Sequence, residues 1–147
     1  MDKSEVKAIV DRNIKPMMAL LGVQHWKINV LYEPCTNPNW VASCARNIAY
    51  QKATITIDPS RADSEEDVID SLRHELIHVL LAPFDAYRGI MTSHLTQGDT
   101  LDRIEDEAWE VAIENTVLAV ERIFDWGLAT NNPFAAMVAK PPESVAE

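Results

Sequence analysis

The chain has two cysteines in 147 residues, Cys35 and Cys44, and that scarcity excludes a disulfide framework. The same pair lacks the close spacing and the further thiols of a structural zinc knot. No apolar run approaches the roughly 20 residues that cross a bilayer, so a membrane is not an expected partner. Basic residues are in the minority, 13 Lys+Arg against 23 Asp+Glu, for a formal net charge of −10. A chain of that sign repels a phosphate backbone, which argues against nucleic acid as a partner. The opening Met1-Asp2-Lys3-Ser4-Glu5 has neither a basic n-region nor an apolar h-region. A signal peptide is therefore not expected, and the location expected is cytoplasmic, with both thiols reduced. Internal repeats and low-complexity tracts are lacking too.

Hydrophobic residues, by contrast, make up 47% of the chain, enough for a core. The length suits one domain, expected over residues 1–130. Residues 131–147 carry three prolines and little pattern, and a loose tail is expected there. Their Phe134, Met137, Val138 and Pro141-Pro142 would also suit a latency segment lying in a cleft. Charge is uneven: residues 1–57 sum to +3 and residues 58–147 to −13. The acidic part is expected to be a solvated helical surface.

Periodicity predicts the elements. Val6, Ile9, Val10, Ile14, Met17, Met18 and Leu21 share one face of a helix over 4–21, with Pro16 expected to kink or split it and Gly22 to stop it. Residues 26–32 alternate bulky and polar side chains, a half-buried strand. A weaker strand is expected within 40–50, and Ala53 to Ile57 is the clearest strand, closed by Asp58-Pro59. Ser64-Glu65-Glu66-Asp67 has the capping residue and acids of a helix start. That helix should run to Ala82, with Pro83 stopping it and a loop following to Gly98. Its apolar stripe is Val68, Ile69, Leu72, Leu76, Val79 and Leu80. A second long helix is expected from Thr100 to Trp126, stopped by Gly127.

One motif carries chemistry. His74-Glu75-Leu76-Ile77-His78 reads H-E-x-x-H. On a helix, residues four apart stand one turn above each other, so both imidazoles reach one metal ion. Leu72, Leu76 and Val79 fall on the opposite side, while Asp67, Asp70 and Ser71 share the histidine side. Imidazole ligands in this spacing suit Zn2+, and a catalytic zinc site takes three protein ligands plus water. Glu75 then stands where a general base is needed to take a proton from that water and return it to a leaving amine.

The third ligand must come from elsewhere. The extended motif H-E-x-x-H-x-x-G-x-x-H is excluded, because Leu81 and Phe84 occupy its glycine and final positions. His94 could fold back from the loop, and Asp85 follows the motif closely. The second helix offers Glu107, Glu110, Glu114 and Glu121 within one narrow sector. Glu114 is framed by Val111, Val117 and Leu118, which favours an inward carboxylate in need of a cation, and it is preferred over Glu110 and Glu107.

A strand leading into an H-E-x-x-H helix, then a glutamate-bearing helix, resembles the small gluzincin-type zinc metallopeptidases. The run Leu72-Arg73-His74-Glu75-Leu76-Ile77-His78-Val79-Leu80-Leu81-Ala82-Pro83 is similar to metallopeptidases encoded by phages and prophages, and Glu114, Val117 and Arg122 match their downstream helix. The resemblance covers about residues 20–125. It implies an α+β zincin-like fold, a minimal metallopeptidase in which a small twisted sheet packs against the two helices. It also implies a zinc cofactor on His74, His78 and Glu114, Glu75 as the catalytic base, and a peptide or protein substrate. The substrate would pair with an edge strand, expected to be Ala53 to Ile57. An oxyanion helper of the usual Tyr, His or Arg type is implied, with Tyr87, His94 and Tyr50 as candidates. Thermolysin-like members carry an Asp four residues after the ligand glutamate, and here that position is Leu118, so the groups that orient the ligands are not named by the resemblance. The other reading consistent with the motif is a zinc-binding interaction or regulatory protein of phage or prophage origin, without catalysis.

Overall fold

The structure is a computed structural model that describes the backbone of residues 1–92 and 100–129 and the side chains of residues 1–89 and 108–123. Within them the chain forms a small α+β fold of three α-helices and one three-stranded mixed sheet. The proposed tail, 131–147, and His94 lie outside the described residues, as does the side chain of Glu107.

Helix α1 spans Lys3–Leu20. Asp2 caps it, accepting from Ser4 N at 2.7 Å and Glu5 N at 2.9 Å, while Glu5 reaches back to Asp2 N at 3.0 Å. The N-terminal amine donates to Pro59 O and Ala62 O at 3.1 and 2.9 Å, which ties this end to the chain before the next helix. The split expected at Pro16 does not occur. Pro16 and Arg12 are exposed, and an exposed position tolerates the donor that proline removes better than a buried one does. Gly22 ends the helix as expected, at φ +70°, a conformation that favours a residue without Cβ.

Strands β1 (Lys27–Tyr32), β2 (Ala42–Asn47) and β3 (Lys52–Ile57) form the sheet in the order β1-β3-β2. β3 runs parallel to β1 and antiparallel to β2. The expectation that Ala53 to Ile57 forms the edge is therefore wrong: that strand is central, and β2 is an edge. Its burial explains why, since Ala53, Ile55 and Ile57 are at most 4% exposed and Thr54 and Thr56 are half-buried, a strand flanked on both sides. The register sets Ala42, Cys44 and Arg46 opposite Ile57, Ile55 and Ala53, hence on the same face of the sheet. That face carries the core.

Helix α2 spans Glu65–Thr92 and packs on α1, β2 and β3. Its start follows the sequence signals: Asp67 accepts from Ser64 N at 2.9 Å, and Ser64 Oγ accepts from Asp67 N at 3.1 Å. Val68, Leu72, Leu76 and Val79 are fully buried, as is Ile77, while Leu80 is exposed. The stop expected at Pro83, and the loop expected over 83–92, are corrected by the structure, where the helix continues ten residues past Ala82 to Thr92; residues 93–98 of that expected loop lie outside the described residues. Proline removes one donor but does not forbid a helix whose later turns are held by tertiary contacts, and Asp85 and Arg88 supply these contacts below. Helix α3 spans Thr100–Ala129 and also passes its expected stop, Gly127. It packs on α2 through Val117, fully buried, with Ile113 and Val120 half-buried against the same core. No described helix is long and apolar enough to cross a membrane.

Candidate metal centre

The amphipathic pattern of α2 decides which residues face the core and which face α3. With Leu72, Leu76 and Val79 locked inside, His74 and His78 project toward α3 and β2. His78 is buried and His74 half-buried. Their Nε2 atoms are 3.2 Å apart. Glu114 on α3 completes a triangle, with Oε2 3.3 Å from His74 Nε2 and Oε1 3.1 Å from His78 Nε2. Ligands at about 2.0–2.1 Å in a tetrahedral zinc sphere are separated by about 3.3 Å; the two imidazole nitrogens stand at that separation, and each faces a different oxygen of the Glu114 carboxylate. The three side chains form a group able to hold a metal ion, with all ligand atoms within 4.8 Å of one another. The donor chemistry fits as well. Burial lowers the His78 pKa, keeping the imidazole neutral as a ligand must be, and the Glu114 carboxylate raises it against that trend.

Glu114 reaches the histidines for a reason other than the one its neighbours suggest. Its side chain is 53% exposed, and Val111 and Leu118, expected to frame it inwardly, are themselves exposed. Only Val117 is buried. The carboxylate stands at the rim of the cleft, its oxygens 3.1–3.3 Å from the two imidazole nitrogens and not set in an apolar surround.

Glu75, beside His74 in sequence, is 7% exposed. Burial pushes its carboxyl up to about 7; Glu114 pushes the same way, while His74 opposes. A carboxyl near neutrality exchanges protons readily at neutral pH, which is what a general base requires.

Glu121 emerges as a further member that the sequence left within the acidic stripe. Its Oε1 lies 3.2 Å from His74 Nδ1. A carboxylate on Nδ1 fixes the ring so that Nε2 faces the metal. The signal was present, because Glu121 follows Glu114 by seven residues, two turns along the same face. Arg46 is a second such residue. Its Nη1 donates to His78 O at 3.1 Å and stands 3.4 Å from His78 Nδ1. Nothing in the local sequence of β2 marks it; only the strand register brings it to the site. Asp85 does not join the ligand group. Its Oδ2 pairs with Arg46 Nη1 and its Oδ1 accepts from Trp109 Nε1, both at 3.2 Å.

The site opens onto a cavity of about 590 Å3 lined by β2 residues Ala42, Ser43, Cys44 and Arg46, by Trp40, and by Trp109 and Glu110 of α3. A second hollow of about 410 Å3 lies on the other flank of His74, with Trp40, Asp70, Ser71 and Glu121 in its walls. Glu75 and His74 border both. Tyr50 and Tyr87, candidates for the oxyanion helper, are 71% and 63% exposed and line neither hollow. Glu110 lines the larger one but is not part of the ligand group. Both cysteines are free, and burial pushes the Cys44 thiol up to about 12.

Compared with known proteins, the chain matches no family model, no curated protein and no solved structure.

Proposed function

We propose that this protein is a zinc-dependent metallopeptidase of zincin-like, minimal gluzincin type that cleaves peptide bonds with Glu75 as general base. The observation that carries the proposal is the convergence of His74 Nε2, His78 Nε2 and the two Glu114 oxygens, at 3.1–3.3 Å, beside a cavity and flanked by the buried Glu75. Zinc, when bound there, lowers the pKa of a neighbouring water toward about 7 and polarises a carbonyl. His74, His78 and Glu114 would hold it, beside the cavity that all three line. Glu121 keeps the His74 ring turned so that its Nε2 faces inward. The Glu75 carboxylate takes a proton from the attacking water and carries it to the leaving amine. Among the described residues β2 pairs with β3 along one side only, and its residues wall the cavity. An extended peptide laid along that free edge would bring a scissile carbonyl past the site.

A purely structural zinc site would close around four protein ligands. Among the described residues three converge, beside a cavity that a substrate could enter. The test is elemental analysis with a peptide-hydrolysis assay. Wild type should carry about one zinc per chain, and His78→Ala none. Glu75→Gln should keep the metal and lose hydrolysis. A wild type without metal after preparation free of chelators, or turnover by Glu75→Gln, would overturn the proposal.

A further inference from the structure

Asp85 lies two residues beyond Pro83, in the part of α2 that sequence patterning assigns to a loop. Its carboxylate links three elements. One oxygen meets Arg46 of β2 and the other accepts from the Trp109 indole of α3, while Asp85 itself rides on the motif helix. The Arg46 nitrogen that it pairs with also donates to the His78 carbonyl. The Asp85 and Arg46 side chains are 24% and 23% exposed, so the pair is shielded enough to matter. Arg88, one turn further, stands over the Trp109 ring at 5.4 Å.

Two consequences bear on the metal centre. The first is electrostatic. The Arg46 guanidinium stands 3.4 Å from the ring of His78, on the side away from the ligand atom, and a lone cation there repels a dication bound at Nε2. Asp85 supplies the neutralising charge. The second is geometric. Glu114 reaches the histidines only if α3 keeps its distance from α2, and Val117 is the one fully buried side chain among the described residues of α3. The bond from Trp109 to Asp85 pins α3 five residues before Glu114, on the helix that carries both histidines.

We propose that Asp85 is a positioning residue of the metal centre: it neutralises Arg46 beside His78 and fastens the Glu114 helix to the histidine helix, so that metal affinity depends on a carboxylate that does not touch the metal. This inference rests on the metal site of the proposed function. Zinc dissociation constants, measured by competition with a chromogenic chelator, test it in the full chain for wild type, Asp85→Asn, Asp85→Glu and Trp109→Phe. Thermal unfolding of each metal-free protein is recorded alongside. Asp85→Asn should weaken zinc binding about 10–100-fold, the range for groups that support a ligand. Asp85→Glu, which keeps the charge, should recover most of that loss. Trp109→Phe, which removes only the indole donor, should weaken zinc binding in the same direction and keeps the test open if Asp85→Asn does not fold. Zinc affinity unchanged in Asp85→Asn and Trp109→Phe overturns the inference, and so does a fall in metal-free stability with affinity preserved. A wild type that binds no zinc overturns this inference and the proposed function together, whereas equal binding by wild type and variants overturns only this one.

Discussion

Replacing Glu75 with glutamine has a consequence for folding that is separable from catalysis. Glu75 is 7% exposed, and its carboxyl is raised from 4.5 to about 7, chiefly by burial. The folded chain therefore holds a proton that the unfolded chain releases above pH 4.5. Stability from this group is fully present below the unfolded value and is lost as pH rises toward 7, after which the loss is constant. Each pKa unit corresponds to about 1.4 kcal/mol, so the carboxylate destabilises the metal-free fold by about 3 kcal/mol at pH 8. The amide of the Glu75→Gln variant does not titrate. The difference in unfolding free energy, Glu75→Gln minus wild type, should rise by about 3 kcal/mol between pH 4.5 and pH 8. Taking differences cancels the carboxylates common to both proteins. Urea unfolding with EDTA present is the assay, and at a slope of about 2 kcal/mol/M the midpoints should separate by a further 1.5 M or so across that range. Parallel pH profiles for the two proteins would refute the reasoning, because they would mean that Glu75 is as well solvated folded as unfolded. Zinc should shrink the separation, since a nearby dication favours the carboxylate.

Other outcomes follow from the same geometry. Glu121→Gln should weaken zinc binding about 10–100-fold through loss of the acceptor on His74 Nδ1, read by chelator competition; unchanged affinity would mean that the ring needs no such support. Cys44, raised from 9.0 to about 12, should react with iodoacetamide about 10–100-fold more slowly than an ordinary thiol in the folded protein at pH 8, because the smaller thiolate fraction is partly offset by a more nucleophilic thiolate, and at the ordinary rate in urea, as mass spectrometry of the labelled peptide would show. Fast labelling of folded Cys44 would contradict its burial. Pro83→Ala should stabilise the fold by up to the roughly 3 kcal/mol that separates these residues inside a helix, and so raise the unfolding temperature, because α2 runs on through this exposed position. A lowered unfolding temperature would mean that the later turns of α2 depend on proline geometry.

The sequence by itself determined the local structure wherever periodicity and caps act over a few residues. Ser64 marks a helix start, Gly22 a helix end, and the β-branched run at 53–57 a strand. It also determined that His74 and His78 share a helix face, because a spacing of four is fixed by helix geometry. What it left open was decided at longer range. The place of β3 at the centre of the sheet depends on which strands pair, and alternation along one strand does not encode its partners. Helix α2 outlasts Pro83 because Asp85 and Arg88 find Arg46 and Trp109 across the cleft, contacts that local propensity does not contain. Glu114 could be singled out from its stripe, but for an apolar frame that lies exposed in the folded chain; the packing of α3 on α2 is what sets its carboxylate beside the histidines. Arg46 and Glu121 enter for the same reason. Their roles exist only once a strand register and an interhelical distance bring together residues 32 and 47 positions apart in sequence.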